Sequence, residues 1–350
     1  MDWTELDSQL RDRTDRDLFS GVILITREGS DLFSGAYGMA SRAWQVPNTL
    51  DTRFDTASIT KLFTSVVALQ AVENGLLDLE TRAVPLLGLE HTAIHPDVTL
   101  GHLLTHTSGM GDDADEEAGE DYADVWKERI SYMVRETGDL LPQFIHKTPN
   151  FAPGEGCRYC NAGYVLAGLM VEEATGDRYR DRVSAHVFDA AGMANSGFFA
   201  MDVIEPRVAE GADPVEGRWV RNIYSYPPIG SPDGGAHVTA GDLVRFLQAL
   251  RRGDLLGAEW TRRFFEPVVA HSCNDLGELH FGYGLEFQYD GRGDLIYQEK
   301  EGVNAGTSAV LRHYPSLETT VVVLSNMQHG AWEPTKMVHS ALTGGGPRDS

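Results

Sequence analysis

The chain is poor in lysine: of its 29 basic residues, only those at 61, 127, 147, 300 and 336 are lysine. It has three cysteines, Cys157, Cys160 and Cys273. That odd number shows no disulfide framework, and the reading it favours is a reduced, cytoplasmic protein. No apolar run approaches the length of a membrane span. The opening stretch MDWTELDSQLRDRTDRDLF is charged throughout, without the apolar core of a signal peptide. Positive charge is outweighed so far, at a net −23, that nucleic acid and anionic membranes are excluded as expected partners. What remains is the composition of an ordinary globular protein, 42% hydrophobic over 350 residues, long enough for one large domain or two intertwined lobes.

Hydrophobic periodicity organises the chain. Residues 20–38 are apolar on both sides of Glu28-Gly29-Ser30, the pattern of a β-hairpin. Leu62, Phe63, Val66, Val67 and Leu69 recur at helical spacing after Ser58, with Asn74-Gly75 as a stop. Residues 75–205 read as mainly helical, with a clear helix from Asn161 to Thr175 that ends at Gly176. A loop-rich stretch follows Pro206, then the helix AGDLVRFLQAL, three strands (DLIYQEKEG, TSAVLRHYP and ETTVVVLSNM) and a last helix over 333–343. The expected fold is α/β of the α+β type: an antiparallel sheet flanked by helices, closed by distant segments, plus a mainly helical lobe. Residues 1–350 would form one domain, with about 10–57 and 206–345 in the α/β lobe and about 58–205 in the helical lobe.

Three short stretches carry chemistry. In ASITKLFTS, Ser58 and Lys61 are three apart, so a helix sets them on one face with Cβ atoms roughly 5–6 Å apart. A serine hydroxyl is a poor nucleophile until a partner takes its proton, and the helix start favours negative charge beside it. In RYCN, Tyr159 precedes a helix and Asn161 offers an amide. A phenol serving as base near neutrality needs its pKa lowered by about 3 units, roughly 4 kcal/mol, which neighbouring ammonium groups could supply. In QEKEGVN, Lys300 would be the second cation, and Gly302 would let substrate approach the backbone. Alone, each stretch has a plain structural reading: a helix-start serine with an exposed lysine, a core tyrosine with a capping asparagine, a lysine guarding a sheet edge.

In this order, S-x-x-K, Y-x-N and K-x-G resemble the serine β-lactamase and penicillin-binding-protein superfamily, in particular its class C-like branch of esterases, peptidases and lactamases. LLTHTSGM (103–110), FAPGEGCRYCNAGYVLAGLMVEEATG (151–176), GGAHVTAGDLVRFL (234–247) and FGYGLEF (281–287) extend the likeness over about residues 15–345. The resemblance implies a β-lactamase/transpeptidase-like fold and a serine hydrolase that cleaves an ester or amide through an acyl-enzyme on Ser58. By the same token Lys61 is the proton partner, Tyr159 the base, Asn161 a positioning amide and Lys300 the stabiliser of the phenolate. The backbone N–H groups of Ser58 and Val303 would form the oxyanion hole, with Gly302, Glu301 and Asn304 lining the substrate's path. Neither metal nor organic cofactor is implied. A β-lactamase or D-Ala-D-Ala-type carboxypeptidase, an acyltransferase and a non-catalytic binding homologue stand as alternatives.

Two residues, Glu301 and Cys160, separate the chain from the family pattern. Glu301 stands where a hydroxyl is usual; it would repel a substrate carboxylate, unless strand alternation turns it away. The acidic run DDADEEAGEDYAD (112–124) is either a solvated loop or a rim that favours cationic or neutral small molecules and short peptides. Cys160 replaces the usual serine, and with Cys157 reads as an ordinary reduced pair. His106 reads as a packed structural residue, because no serine lies in a G-x-S-x-G elbow.

Overall fold

The computed structural model describes residues 3–344. The expected limit of the α/β lobe at 345 lies outside the described residues. Helix α1 (Trp3–Asp15) leads into strands β1 (Gly21–Arg27) and β2 (Ser30–Tyr37), joined at Glu28 and Gly29, both at positive φ as a tight hairpin requires. Helix α2 (Thr60–Glu73) is apolar nearly all round and buried, as a central helix must be. Helix α3 (Asn161–Thr175) ends at Gly176, which is left-handed at φ 76°. Helix α4 (Ala240–Arg252) precedes β3 (Val269–Asn274), β4 (Gly277–Phe281), β5 (Glu286–Tyr289), β6 (Leu295–Asn304), β7 (Thr307–Tyr314), β8 (Thr319–Ser325) and helix α5 (Trp332–Thr343).

Eight strands form one antiparallel sheet in the order β2-β1-β8-β7-β6-β5-β4-β3, so the two ends of the chain meet where β1 pairs with β8. Alternation divides the sheet. Val310, Tyr314, Val321 and Val323 pack with Leu6 and Leu10 of α1 and Val338 of α5 on the outer face. Ala309, Leu311, Val322 and Leu324 join α2, α3 and α4 on the inner face. This is the mixed helix and antiparallel-sheet architecture expected. Between residues 75 and 160 the chain has only short helical turns, such as Leu100–Leu104, set in irregular loop. Strand β6 is interior, between β5 and β7, so Lys300 guards no edge.

Candidate active site

Ser58 sits on a 3₁₀ turn, Ala57–Ile59, that runs into α2. Ala57 is held at φ 43°, and its N–H donates to Asp55 Oδ1 at 2.7 Å. A non-glycine residue in the left-handed region costs on the order of 1–3 kcal/mol, so the surroundings must hold this corner in place. One of them is Gly302. A Cβ there would stand 2.1 Å from Thr56 O and 2.9 Å from Ser58 N, so only glycine lets β6 lie against the Ser58 backbone.

Lys61, fully buried, contacts three oxygens: Asn161 Oδ1 at 2.6 Å, Asp233 O at 2.6 Å and Ser58 Oγ at 2.9 Å. The two carbonyl oxygens can only accept, whereas the hydroxyl can also donate. A neutral Lys61 amine can therefore give its two hydrogens to the carbonyls and turn its lone pair to the Ser58 proton. Burial, helped by the Lys300 charge, pulls the Lys61 pKa from 10.5 to about 8, against the opposing pull of Asp233. The neutral amine is accessible near neutrality.

Tyr159 lies between the two cations, with Lys61 Nζ 5.1 Å and Lys300 Nζ 4.7 Å from its ring centroid. Its hydroxyl interacts with the Ser58 side chain, and His106 stacks on its ring at 4.5 Å. The sequence suggested a phenol made acidic by two ammonium groups; the structure corrects that. Burial, reinforced by the Glu116 and Glu286 carboxylates, holds the Tyr159 pKa well above 10, and the cations do not reverse it. His106 is itself buried, and its Nδ1 accepts from Cys160 N at 3.0 Å. That agrees with a packed residue, one that braces Tyr159.

The acidic run is fastened rather than free. The carboxylate of Asp112 accepts the N–H groups of Asn161 and Ala162, each at 2.8 Å, and so caps α3 from a distant segment. Asp115 pairs with Arg158 through two oxygens, at 2.6 Å and 3.0 Å. Glu116 Oε1 accepts from Asn161 Nδ2 at 2.7 Å, which fixes the amide with Oδ1 toward Lys61. Glu117 Oε1 accepts from Tyr159 N at 2.7 Å and contacts His271 Nε2 at 3.0 Å. Three consecutive acids thus hold residues 158, 159 and 161. The loop is anchored rather than free, while residues 116–121 remain exposed to solvent.

Ser58, Lys61, Tyr159, Asn161 and Lys300 converge, and Gly302 abuts Ser58. Glu301 does not join them. It opposes Val310 in the register and pairs with Arg312 at 3.6 Å, on the face turned from Lys300. Val303 is part-exposed beside Gly302, and Asn304 Oδ1 accepts from Ala305 N within the β6–β7 turn. Sequence reasoning missed Asp233, which contributes through its carbonyl, and Glu286, whose Oε1 meets Lys300 Nζ at 2.6 Å. A main-chain acceptor leaves no residue-type signal. Glu286 stood in view within FGYGLEF, with nothing local to tie it to Lys300.

The arrangement, on this fold, is that of a serine hydrolase of the penicillin-binding-protein and esterase type. The Beta-lactamase family model matches residues 6–342, and the chain belongs to that family. A penicillin-binding protein from Bacillus halodurans superposes with a TM-score of 0.87 at 37% identity, over 94% of this chain and 99% of the other. Esterase EstB of Burkholderia gladioli is 33% identical over 274 residues, which are 70% of this chain and 68% of that protein. Penicillin-binding protein 4* of Bacillus subtilis is 26% identical over 325 residues, 89% of this chain and 68% of its own. No helix among the described residues is long and apolar enough to cross a membrane.

Proposed function

We propose that Ser58 is the nucleophile of an acyl-enzyme hydrolase acting on esters or amides of small, neutral or cationic acyl groups, short peptides included. One observation carries this: the Ser58 Oγ lies 2.9 Å from a lysine amine whose other two contacts are pure acceptors. Lys61 takes the hydroxyl proton as Oγ attacks the carbonyl. The oxyanion is met by the N–H groups of Ser58 and Val303, donors worth roughly 10²–10³ each in rate. Tyr159, held as a neutral phenol against Ser58, passes the proton to the leaving group and is reprotonated from Lys61. Water then adds to the acyl-enzyme by the reverse relay.

Charge supports the substrate class. Lys300 is matched by Glu286, and Glu116 and Glu117 add negative charge on the approach. With Lys61 neutral, a carboxylate-bearing β-lactam or peptide C-terminus meets no unpaired cation there among the described residues, whereas an amine finds Glu116. Relatives named as a D-aminopeptidase and an esterase fit this choice. Residues 10–57 with 206–345, and 58–205, we take as the two lobes of one catalytic unit. The free thiols of Cys157, Cys160 and Cys273 support a reducing, cytoplasmic setting.

The test is a mass shift on Ser58 after exposure to a fluorophosphonate, together with turnover of a panel of p-nitrophenyl esters, D-amino acid amides and a cephalosporin. Stoichiometric labelling lost in Ser58→Ala, with esters or amides turned over, is expected. A folded protein that is neither labelled nor active on any of them would refute the proposal.

A further inference from the structure

The Lys300–Glu286 pair stands apart from the proton relay. The two groups are 2.6 Å apart, with side-chain exposures of 3% and 17%. Glu286 is the first residue of β5, at the end of its ladder with β6, and its carboxylate reaches the adjacent strand's lysine. Both groups face Tyr159: Lys300 Nζ lies 4.7 Å from its ring centroid, and the Glu286 charge opposes ionisation of its phenol. A buried pair this close presents a dipole to the substrate in place of a unit charge, and the protein interior screens that difference less than water does.

We infer that Glu286 is a specificity-determining residue: by neutralising Lys300 it makes the site reject acyl compounds that carry a carboxylate and accept neutral or cationic ones. This inference rests on Ser58 acylation as proposed above. With Lys61 working as the neutral amine, Lys300 is the one cation left beside Ser58 among the residues assembled there, and Glu286 cancels it. Glu116 and Glu117 then make the net field of the cleft negative. Removing the Glu286 charge restores one positive charge within several ångströms of the reacting carbonyl. At that range the gain for an anionic substrate over a neutral one is about ten- to thirtyfold.

The experiment compares kcat/KM for two matched pairs in the full-length enzyme, Glu286→Gln and Glu286→Asp. The first pair places the charge on the acyl side: p-nitrophenyl hydrogen succinate against p-nitrophenyl pentanoate. The second places it on the leaving group: a thioglycolic acid thioester against its methyl ester. Because the readout is the anionic-to-neutral ratio, a general loss of activity cancels, and circular dichroism melts confirm that each variant is folded. A ratio raised about tenfold or more in Glu286→Gln for either pair, and kept near the wild-type value in the charge-preserving Glu286→Asp, supports the inference. A ratio unchanged in Glu286→Gln for both pairs, while the neutral substrate is still cleaved through Ser58, overturns it alone. So does an equal rise in both variants, which would mark a change of shape instead of charge. Wild type that cleaves no neutral substrate overturns the acyl-enzyme reading, and this inference with it.

Discussion

Lys61→Met tests the buried amine most directly, because methionine fills similar space and carries no charge. Burial lowers Lys61 from 10.5 to about 8. The shift, 10.5 minus about 8, corresponds to about 3 kcal/mol of destabilisation whenever the folded protein must carry the ammonium. The sign follows from proton counting. Below about pH 8 both states hold the proton and the folded state bears the whole cost. Between about 8 and 10.5 the unfolded chain binds the proton and the folded one has released it, so stability rises with pH. Methionine has no such dependence of its own, and the neighbours Asp233 and His106 lose only the influence of the Lys61 charge.

The stability of wild type relative to Lys61→Met should therefore improve by about 2 kcal/mol between pH 7 and pH 9.5. For a chain of this length that is about 3 °C in relative melting temperature. Paired urea titrations at the two pH values measure it. On the same reasoning kcat/KM for a neutral ester climbs close to tenfold per pH unit below about 8 and levels above it. A stability gap constant to within about 0.5 kcal/mol, or a rate already level from pH 6, would refute a depressed Lys61 as the proton acceptor.

Asp112→Ala removes the cap from Asn161 and Ala162. It should cost about 1–2 kcal/mol in a urea melt and lower kcat as Asn161 loosens from Lys61, with Asp112→Asn recovering part of both. Gly302→Ala puts a methyl group 2.1 Å from Thr56 O. It should destabilise the fold by about 1–3 kcal/mol and slow fluorophosphonate labelling of Ser58 by more than tenfold, while Gly75→Ala, far from any neighbour, changes labelling little.

Regular apolar repeats made much of this fold readable. The β1–β2 hairpin, α2, α3 and the last three strands lie within a few residues of their sequence limits, because each is a long run that buries a continuous face. Helix α1 was not visible, since only Leu6 and Leu10 are buried in it and its other positions are mostly charged. Strands β3 and β4 were missed for a related reason, since the sheet margin is largely solvated there and β3 shows no apolar alternation, and β5 is buried at Phe287 and Gln288 but only four residues long. The site divides in the same way. Residue types and their order pointed to Ser58, Lys61, Tyr159, Asn161 and Lys300. The direction of the Tyr159 shift was misread, because it depends first on burial and then on Glu116 and Glu286, all of which only folding brings to the ring. Glu301 could be placed on neither face until its partner Arg312 was known.

The clasp between residues 115–117 and 158–161 has an evolutionary side. Whatever the cleft mouth displays to an incoming molecule is spliced to the parts that make and break bonds. A lineage altering its diet by mutating Glu116 or Glu117 would disturb Asn161 or Tyr159 in the same stroke. New tastes would be easier to acquire at positions that hold neither of those two residues.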